Sequence, residues 1–428
     1  MIKRPFFAIT KPKLTCARIW ALPKETSVEI PPPKTAVFLV KGPLPKADEL
    51  MVRVGDRVRT GQKVLPAKDR AEGFISTVTG RVSGVSFCTG TMGRPYTSVS
   101  VDADDQDQWD DSFDLQAEEP SLSTLVDLLG DLPGAPGFGS LLKGGPALET
   151  LVVLGTDEDL VVTKNQFVVY EEAEALKQGT EVLKKISGVP RMLLLVPDYL
   201  REEAEKTGVE VKVMRPLYPD TLPKMIMKNL FRKPVPVGKK CEDLGIGFAG
   251  AEAVAALAKA ISEGKAPIHK WMTVIRKDGS RVHARARIGT PVKDVLKALN
   301  IETHHGDRVV LGGAMTGRPA FSEEAPVEVD TDAILVQDCT QVIPSSDSHC
   351  VNCGECVRVC PAKMPVNLLI RYLENSLFEE AAQDLDLFSC VECGLCSYVC
   401  MVRIPIFQYI MLGKQEVARI RSAEEAHA

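Results

Sequence analysis

Cysteines in the C-terminal part of the chain have the spacing that binds iron–sulfur clusters. Eight of the 12 cysteines lie in two copies of C-x2-C-x2-C-x3-C, namely CVNCGECVRVCP at 350–361 and CVECGLCSYVCM at 390–401. Three thiolates at this pitch surround one corner of a cubane cluster, while the fourth, one helical turn on, completes the cluster of the other copy. The sequence therefore predicts two [4Fe-4S] clusters. One set of ligands is Cys350, Cys353, Cys356 and Cys400, and the other is Cys390, Cys393, Cys396 and Cys360.

Zinc and disulfides are the alternative uses of such cysteines. Zinc takes four ligands and would leave the extra cysteines of each copy without a role. Disulfides are disfavoured because no signal peptide opens the chain and a globular protein of 428 residues does not need staples. The isolated Cys16, Cys88, Cys241 and Cys339 are predicted to be buried structural residues.

The residues between and after the two copies have helical spacing. Val366, Leu369, Ile370, Leu373 and Leu377 recur every three to four residues, and a closing helix is predicted at 404–421. This predicts an all-helical ferredoxin module. The second copy is followed by Met401 where the first has Pro361, so we expect the second cluster to be more exposed or differently tuned.

Length and composition describe an ordinary globular chain that is long enough for about three domains. Hydrophobic residues make up 45% and charged residues 25%. No run approaches the ~18 apolar residues of a membrane span, so membrane association is expected only through partners. The net charge of -5 gives nucleic-acid binding no support. Eight thiolates committed to clusters require a reducing compartment, which places the protein on the cytoplasmic side.

The front of the chain predicts a small β module. Proline- and lysine-rich residues 1–45 favour an extended, wrapping segment. Residues 49–65 and 74–87 alternate valines with glycine turns, which predicts a β sandwich of two like halves. It resembles the biotinyl and lipoyl carrier fold, but Lys68 lacks the flanking methionine of the attachment motif, so a purely structural module is expected. The acidic run 102–119 is predicted to be a solvated linker.

The middle of the chain alternates apolar runs with helical patterns. Runs at 151–155, 192–197 and 209–214 suit buried parallel strands of an α/β domain. The glycine-rich loop 132–143 and the acidic loop 154–160 lie at strand ends, where they could hold a ligand. Backbone amides of Gly134, Gly137 and Gly139 could approach a phosphate, although a plain turn explains the glycines as well.

An alanine-rich helix at 251–264 precedes a strand–turn–strand–helix pattern at 272–300, which is similar to a ubiquitin-like β-grasp. The adjacent His304 and His305 are expected in a loop rather than at a metal. The chain is thus predicted to be a multidomain α+β protein. The expected division is 1–115 (wrapping segment, β-sandwich and acidic linker), 116–235 (α/β), 236–340 (β-grasp) and 341–428 (helical ferredoxin).

With these modules in order, the chain resembles RnfC, a peripheral subunit of the Rnf membrane complex. The resemblance rests on VRVGDRVRTGQ, YPDTLPKMI, RIGTPVKDVL, VVLGGAMTG and the two cysteine motifs. It implies a barrel-sandwich hybrid-like front module, a Rossmann-like α/β domain and an SLBB-like β-grasp. It also implies electron transfer between ferredoxin and NADH coupled to ion translocation, membrane and iron–sulfur subunits as partners, and a peripheral position on the cytoplasmic face of the cell membrane. The related NqrA lacks the cluster domain, and PduS has its modules in another order.

The resemblance further implies FMN and NADH in the α/β domain. Flavin phosphate contact would fall to Gly134 and Gly137, and nicotinamide or ribityl contact to four other residues: Phe138, Lys143, Asp157 and Asp159. The family's GGAGFPT reads GAPGFGS here, and its GAECEPY reads GTDEDLV. A proline inside a phosphate-binding loop removes an amide donor.

Two interpretations of this departure stay open. The site holds FMN and NADH, or the subunit is a relay that takes electrons from another partner such as a cytochrome or a second dehydrogenase. A soluble flavin and iron–sulfur oxidoreductase, such as a cobalamin reductase, is the alternative function. A structural scaffold whose clusters merely hold the fold is a further alternative.

Overall fold

The structure is a computed structural model that combines helices with both parallel and antiparallel strands. It describes residues 12–19, 27–46, 49–67, 73–90, 93–110, 130, 132–134, 136–138, 147–320 and 322–427. Lys68, Gly139, Lys143 and the acidic run from residue 111 onward lie outside the described residues. Among the helices of the described ranges, none combines the length and the apolar character needed to cross a membrane.

The first described segments are extended and pair with strands far along the chain. β1 (Leu14–Thr15) pairs antiparallel with residues 217–218. β2 (Ser27–Glu29) pairs parallel with residues 283–285. The N-terminal segment therefore adds an edge strand to two sheets whose other strands lie much later in the sequence.

Residues 35–103 form a β unit of two small sheets. The strands are β3 (Thr35–Lys41), β4 (Arg57–Val58), β5 (Lys63–Val64), β6 (Phe74–Ile75), β7 (Gly80–Thr89) and β8 (Pro95–Ala103). One sheet has the order β3-β8-β7-β4 and the other is the pair β5-β6. Inward residues of β3 and β8 alternate with outward ones, as expected for one buried face. Phe38 stacks on Phe74 across the two sheets, with 4.3 Å between ring centroids.

The described part of the acidic run is exposed and also bonded to other parts of the chain. Asp107 forms an ion pair of 2.6 Å with Arg287. The backbones of Trp109 and Thr60 form an isolated parallel β-bridge. The Thr77 hydroxyl also donates to the Ile288 carbonyl at 2.5 Å. Residues 104–108 are exposed, as the sequence predicts, but charge pairing of Asp107 with a distant strand fixes this stretch against the next module.

A four-stranded parallel sheet forms the core of the middle of the chain. Its order is β11-β10-β9-β13, and the adjoining strand β12 pairs with β1. Buried β9 and β10 are the continuous apolar strands predicted from the sequence. The strands are β9 (Thr150–Leu154), β10 (Arg191–Pro197), β11 (Glu210–Met214), β12 (Leu217–Tyr218) and β13 (Ile246–Gly250). The helices are α1 (Lys164–Glu171), α2 (Ala173–Ser187), α3 (Arg201–Glu205), α4 (Pro223–Asn229) and α5 (Ala251–Glu263).

The fourth strand of this sheet lies beyond the boundary that the sequence suggested at 235/236. β13 pairs parallel with β9, and α5 follows it directly. Gly179 of α2 touches the Val254 carbonyl of α5, a contact that leaves no room for a side chain. Small residues let these two helices approach closely, so residues 246–263 pack with the α/β sheet and not with the β-grasp.

A mixed six-stranded sheet follows, with the order β17-β16-β18-β14-β15-β2. Its own strands are β14 (His269–Ile275), β15 (Arg281–Arg287), β16 (Arg308–Leu311), β17 (Arg318–Pro319) and β18 (Ala333–Gln337). Helix α6 (Val292–Ala298) buries Val292, Val295 and Leu296 in the core that this sheet also lines. The hairpin at Asp278-Gly279 is the predicted one.

The C-terminal module is helical, as its apolar spacing predicts. Its helices are α7 (Glu355–Val359), α8 (Val366–Glu374), α9 (Phe378–Asp384), α10 (Leu395–Val399) and α11 (Ile406–His427). Val366, Leu369, Ile370 and Leu373 of α8 are buried in one core with Ile410 of α11. This core supports the two cysteine-bearing loops.

Candidate iron–sulfur sites

The two cysteine motifs fold into loops with matching backbones. Gly354 and Gly394 precede the short helices α7 and α10 with φ of 74° and 68°, a region that glycine enters without steric cost. Asn352 and Glu392, at equivalent positions, have φ of 54° and 60°. Each loop therefore wraps its first three cysteines around one centre.

The last cysteine of each motif reaches the other loop. Burial raises the pKa of Cys356 to about 12, and the neighbouring thiols of Cys350, Cys353 and Cys400 contribute to the rise. The structure thus brings these four together, and we call them the first site. They also line a common cavity with Ile370 and Ile404, among other residues.

The second site consists of Cys360, Cys390, Cys393 and Cys396. Burial raises the pKa of Cys393 to about 12, and the thiols of Cys390 and Cys360 add to the effect. Burial likewise raises the pKa of Cys390 and Cys396. A desolvated thiol ionises readily only when a cation stabilises the thiolate, which a bound metal centre does.

Backbone amides point at the sulfurs. The Glu392 amide donates to Cys390 Sγ at 3.3 Å. Amide contacts from Val357 to Cys356, and from Leu395 to Cys393, lower the pKa of these thiols in opposition to burial. Such N–H···S bonds stabilise sulfur-borne negative charge, so the donor set fits an iron–sulfur centre.

The first site faces solvent on one side. Val351 is 57% exposed and Met401 47% exposed, and both line its cavity. Met401 follows Cys400, which belongs to the first site because the fourth cysteines are exchanged. The expectation that Met401 exposes the second cluster is therefore wrong: its side chain borders the first.

The second site lies where four parts of the molecule meet. Tyr218 donates its hydroxyl to the Cys393 carbonyl at 2.6 Å, and Lys224 of α4 donates to the Cys390 carbonyl at 3.3 Å. The Met315 carbonyl touches Gly394 so closely that a Cβ could not fit. Cys16 from the N-terminal segment packs into the same apolar cluster.

A lysine of α11 closes the remaining side. Lys414 Nζ donates to the Cys390 carbonyl at 3.1 Å and pairs with Glu392 Oε1 at 2.6 Å. The Lys414 side chain is mostly buried. Sequence patterns did not assign Tyr218, Lys224 or Lys414 to a site, although the first two lie in the quoted YPDTLPKMI motif.

The described residues predicted to contact flavin pack or bond within the protein. Phe138 is buried in the apolar core of the α/β unit. The Gly134 amide donates to the Val329 carbonyl at 2.8 Å, and the Pro136 carbonyl accepts from Gly250. The Gly134 amide, one of the predicted phosphate donors, is thus bonded within the protein.

Both predicted acids are buried and hydrogen-bonded inside the protein. Asp157 accepts from the Asn165 amide at 2.8 Å and from Gln166 Nε2 at 3.0 Å. Asp159 accepts from the Met315 and Thr316 amides at 3.0 Å each. Burial raises the pKa of Asp157 to about 6 and also raises that of Asp159. The Gly134 amide, Asp157 and Asp159 are thus already bonded within the described part of the protein, and a bound FMN or NADH would compete with these contacts.

Comparisons with known proteins agree with the cysteine geometry. Residues 343–401 match the family model of a 4Fe-4S dicluster domain, which supports iron–sulfur clusters in this region. The chain is 27% identical to the C subunit of the ion-translocating oxidoreductase complex of Pectobacterium carotovorum, over 93% of the chain and 55% of that protein. The Pectobacterium atrosepticum protein of the same name is 28% identical, over 92% of the chain and 59% of that protein.

The chain therefore spans a little over half the length of these relatives. Among solved structures, an NAD+-reducing [NiFe]-hydrogenase chain is similar with 12% identity and a TM-score of 0.46, over 72% of this chain and 63% of that one. The similarity to the two Pectobacterium proteins confirms the resemblance inferred from the sequence motifs. Over nearly its whole length the chain is therefore similar to the C subunit of ion-translocating oxidoreductase complexes, and its residues 343–401 match a 4Fe-4S dicluster domain.

Proposed function

We propose that this chain is an electron-transfer subunit of an Rnf-type ion-translocating oxidoreductase complex. Its task is to relay electrons through two [4Fe-4S] clusters between a redox partner and other subunits of the complex. The observation that carries the proposal is the grouping of eight cysteine thiols into two sets of four, with the fourth cysteine exchanged between the loops.

The ligands of one cluster are Cys350, Cys353, Cys356 and Cys400, and those of the other are Cys360, Cys390, Cys393 and Cys396. When bound, the clusters accept and donate single electrons. The chain's own residues orient the thiolates, supply amide donors to sulfur and exclude water from the second site. The Cys356 thiol contributes to raising the pKa of Cys396, so the two sites are close enough for electrostatic contact. This proximity supports a relay in series.

The two cysteine sites differ in burial, and this difference supports a path for the electrons. The second site lies against the α/β unit and the N-terminal segment, and the first site borders solvent. Electrons would pass between the interior of the assembly and a neighbouring subunit or carrier, such as a ferredoxin or a cytochrome, through the first site. A partner that replaces NADH and FMN fits better than the nucleotide pair, because the Gly134 amide, Asp157 and Asp159 are bonded within the protein.

The remaining modules would hold this relay in its complex. We assign a barrel-sandwich hybrid-like unit to residues 35–103, a Rossmann-like unit to 147–264 and an SLBB-like β-grasp to 265–340. The helical ferredoxin follows from 341. Membrane and iron–sulfur subunits of the complex are the proposed partners. A peripheral position on the cytoplasmic face of the cell membrane agrees with the reducing conditions that eight thiolates need.

Anaerobic purification with iron, sulfide and flavin quantitation tests the proposal. We expect about eight irons per chain and electron paramagnetic resonance signals of two interacting clusters after dithionite reduction. Cys339→Ala, which alters an exposed cysteine outside both sites, is the matched control and should keep full iron content. A colourless protein without such signals would contradict the relay, and clusters that never change oxidation state at accessible potentials would favour a structural scaffold.

A further inference from the structure

The order of the parallel sheet defines a crevice that could receive a ligand. In β11-β10-β9-β13, the direction in which successive strands are added reverses between β9 and β13. Open α/β sheets bind ligands outside the carboxyl ends of the strands at such a switch point. Here the acidic loop follows β9 and helix α5 follows β13, so Asp157 and Asp159 of the predicted flavin contacts lie at this crevice.

Four charged side chains fill the crevice, three of them buried and the fourth, Asp332, 26% exposed. Lys164 Nζ lies 3.1 Å from Glu252 Oε2 and 2.7 Å from Asp332 Oδ1. Lys270 Nζ pairs with the same two carboxylates, at 2.7 Å from Asp332. Both lysine side chains are 0% exposed and that of Glu252 is 4% exposed. We call these residues the charge quartet.

The charge quartet joins two sheets. Lys164 and Glu252 begin helices of the α/β unit, while Lys270 lies in β14 and Asp332 precedes β18 of the six-stranded sheet. Two cations face two anions, so no net charge is left for a phosphate. Removing one member of such a buried set leaves an uncompensated charge at a large cost. An entering nucleotide would need to break these pairs.

The acidic loop, residues 154–160, extends the contacts between the two sheets towards the second site. Asp159 accepts the Met315 and Thr316 amides at 3.0 Å, and the Thr316 hydroxyl at 3.0 Å. Asp159 also packs against Gly313 so tightly that no Cβ could stand there. The loop 313–317 is held by this carboxylate, and the Met315 carbonyl of the same loop contacts Gly394 between Cys393 and Cys396.

We propose that the switch-point crevice is a permanently closed joint that positions the second cluster loop, in place of a flavin nucleotide site. Asp159 is the positioning residue, acting on Gly394 through Met315, and the charge quartet keeps the crevice shut. The positioning role rests on the proposed relay function. The absence of nucleotide binding does not, because it follows from the charge quartet alone.

The first test uses the wild-type protein purified without oxygen. FMN and NADH are added separately at micromolar concentration, and quenching of their fluorescence is followed. We expect no quenching and no co-purified flavin, with iron content intact. Stoichiometric flavin, or saturable quenching by either nucleotide, would overturn the closed crevice. Loss of iron from the wild-type protein would instead count against the relay, so the two failures are distinguishable.

The second test compares Asp159→Asn with Asp157→Asn. In Asp159→Asn the introduced amide nitrogen would face backbone donors, so the hold on loop 313–317 weakens. We expect the paramagnetic signal of the second cluster to broaden and its reduction potential to shift, while the first cluster keeps both. Asp157→Asn alters an equally buried acid of the same loop that bonds only to the start of α1, and it should leave both clusters unchanged.

A milder variant covers the case in which Asp159→Asn fails to fold. Thr316→Val removes one hydroxyl bond to Asp159 and keeps both amide bonds. It should shift the second cluster in the same direction by less. Unchanged signals of the second cluster in the folded Asp159→Asn or Thr316→Val protein, or an equal change at both clusters, would overturn the positioning role.

Discussion

The two cysteine sites have nearly the same loop and very different surroundings. Each loop turns at a glycine of positive φ and continues into a helix of five residues. The first site is bordered by the exposed Val351 and Met401. The second is covered by Tyr218, Lys224 and other residues that come from distant parts of the chain. The repeat sets which atoms bind iron, and the rest of the molecule sets how each centre meets water and charge.

This difference gives each site a separate role. A cluster that borders solvent exchanges electrons with an external partner, whereas a covered one keeps a fixed environment. Hydrogen bonds, nearby charge and exposure to solvent all move the reduction potential of such clusters. Neighbouring residues supply hydrogen bonds and charge to the second site and shield it from solvent. The first site has few such neighbours on its solvent side.

Replacing the exchanged cysteines should have the largest effect on the difference between the two sites. Cys360→Ala and Cys400→Ala should each lower iron content to about four per chain. The residual spectrum of Cys400→Ala should match that of Cys353→Ala, and the spectrum of Cys360→Ala should match that of Cys393→Ala. Iron analysis and paramagnetic resonance check this. If the spectrum of Cys400→Ala instead matched that of Cys393→Ala, and that of Cys360→Ala matched that of Cys353→Ala, the exchange of the fourth cysteines would be refuted.

Stability should also separate these two variants. The second site packs against the N-terminal segment and α4, so its loss loosens contacts between modules. We expect Cys360→Ala to melt about 5 °C or more below Cys400→Ala. Equal melting temperatures would mean that the junction does not depend on the second cluster.

Iron removal should occur in two phases. A bulky chelator with a mild oxidant reaches the first site beside Val351 and Met401, while the second requires local opening of the junction. We expect the two rates to differ by about tenfold or more, which corresponds to a modest opening free energy. The fast phase should be missing in Cys400→Ala. A single phase in the wild-type protein would show that both sites are equally accessible.

Removing a charge next to the second site should change the reduction potential of its cluster by a smaller amount and in a predictable direction. Lys414→Met removes a cation that bonds to the Cys390 carbonyl and balances Glu392. Because reduction adds negative charge, the reduction potential of the second cluster should fall, by on the order of 50 mV. Redox titration measures both clusters in one sample. Arg419→Met, which alters an exposed ion pair on the same helix, is the control. A fall of equal size at both clusters would contradict the assignment of Lys414 to the second.

The smallest effect concerns the position after each fourth cysteine. Cys360 has φ -59° and ψ 121°, and Cys400 has φ -64° and ψ 116°. Both conformations accept a following proline. Met401→Pro should therefore fold with full iron and slow the fast chelation phase by about twofold, since a rigid ring replaces a mobile side chain. A change confined to the slow phase would place residue 401 at the wrong cluster.

Sequence patterns were most informative where the contacts are local. Cysteine spacing predicted how the thiols are grouped, and apolar periodicity predicted the strands β9 and β10 and the helix α8. The strand β13 was not predicted, because IGFAG carries few large apolar residues, and the boundary at 235/236 separated it from its sheet. Its place in the sheet depends on pairing with β9, nearly a hundred residues earlier.

The role of the acidic loop could not be predicted for the same reason. Asp157 and Asp159 have the residue types of a ligand site, but their partners decide what they do. Asp159 bonds to residues more than 150 positions later, and the charge quartet joins four separate segments. The exposure of Met401 was misassigned because the motif was considered alone, without following the exchanged cysteine to its cluster.

The strand β2 has a consequence for how the polypeptide is made. Residues 27–29 leave the ribosome early, yet their partners at 283–285 are synthesised some 250 residues later. Until then β2 has no partner, and an unpaired strand edge can pair with another molecule. Assembly of the six-stranded sheet must therefore wait for most of the chain, and nascent or truncated fragments should be prone to aggregate.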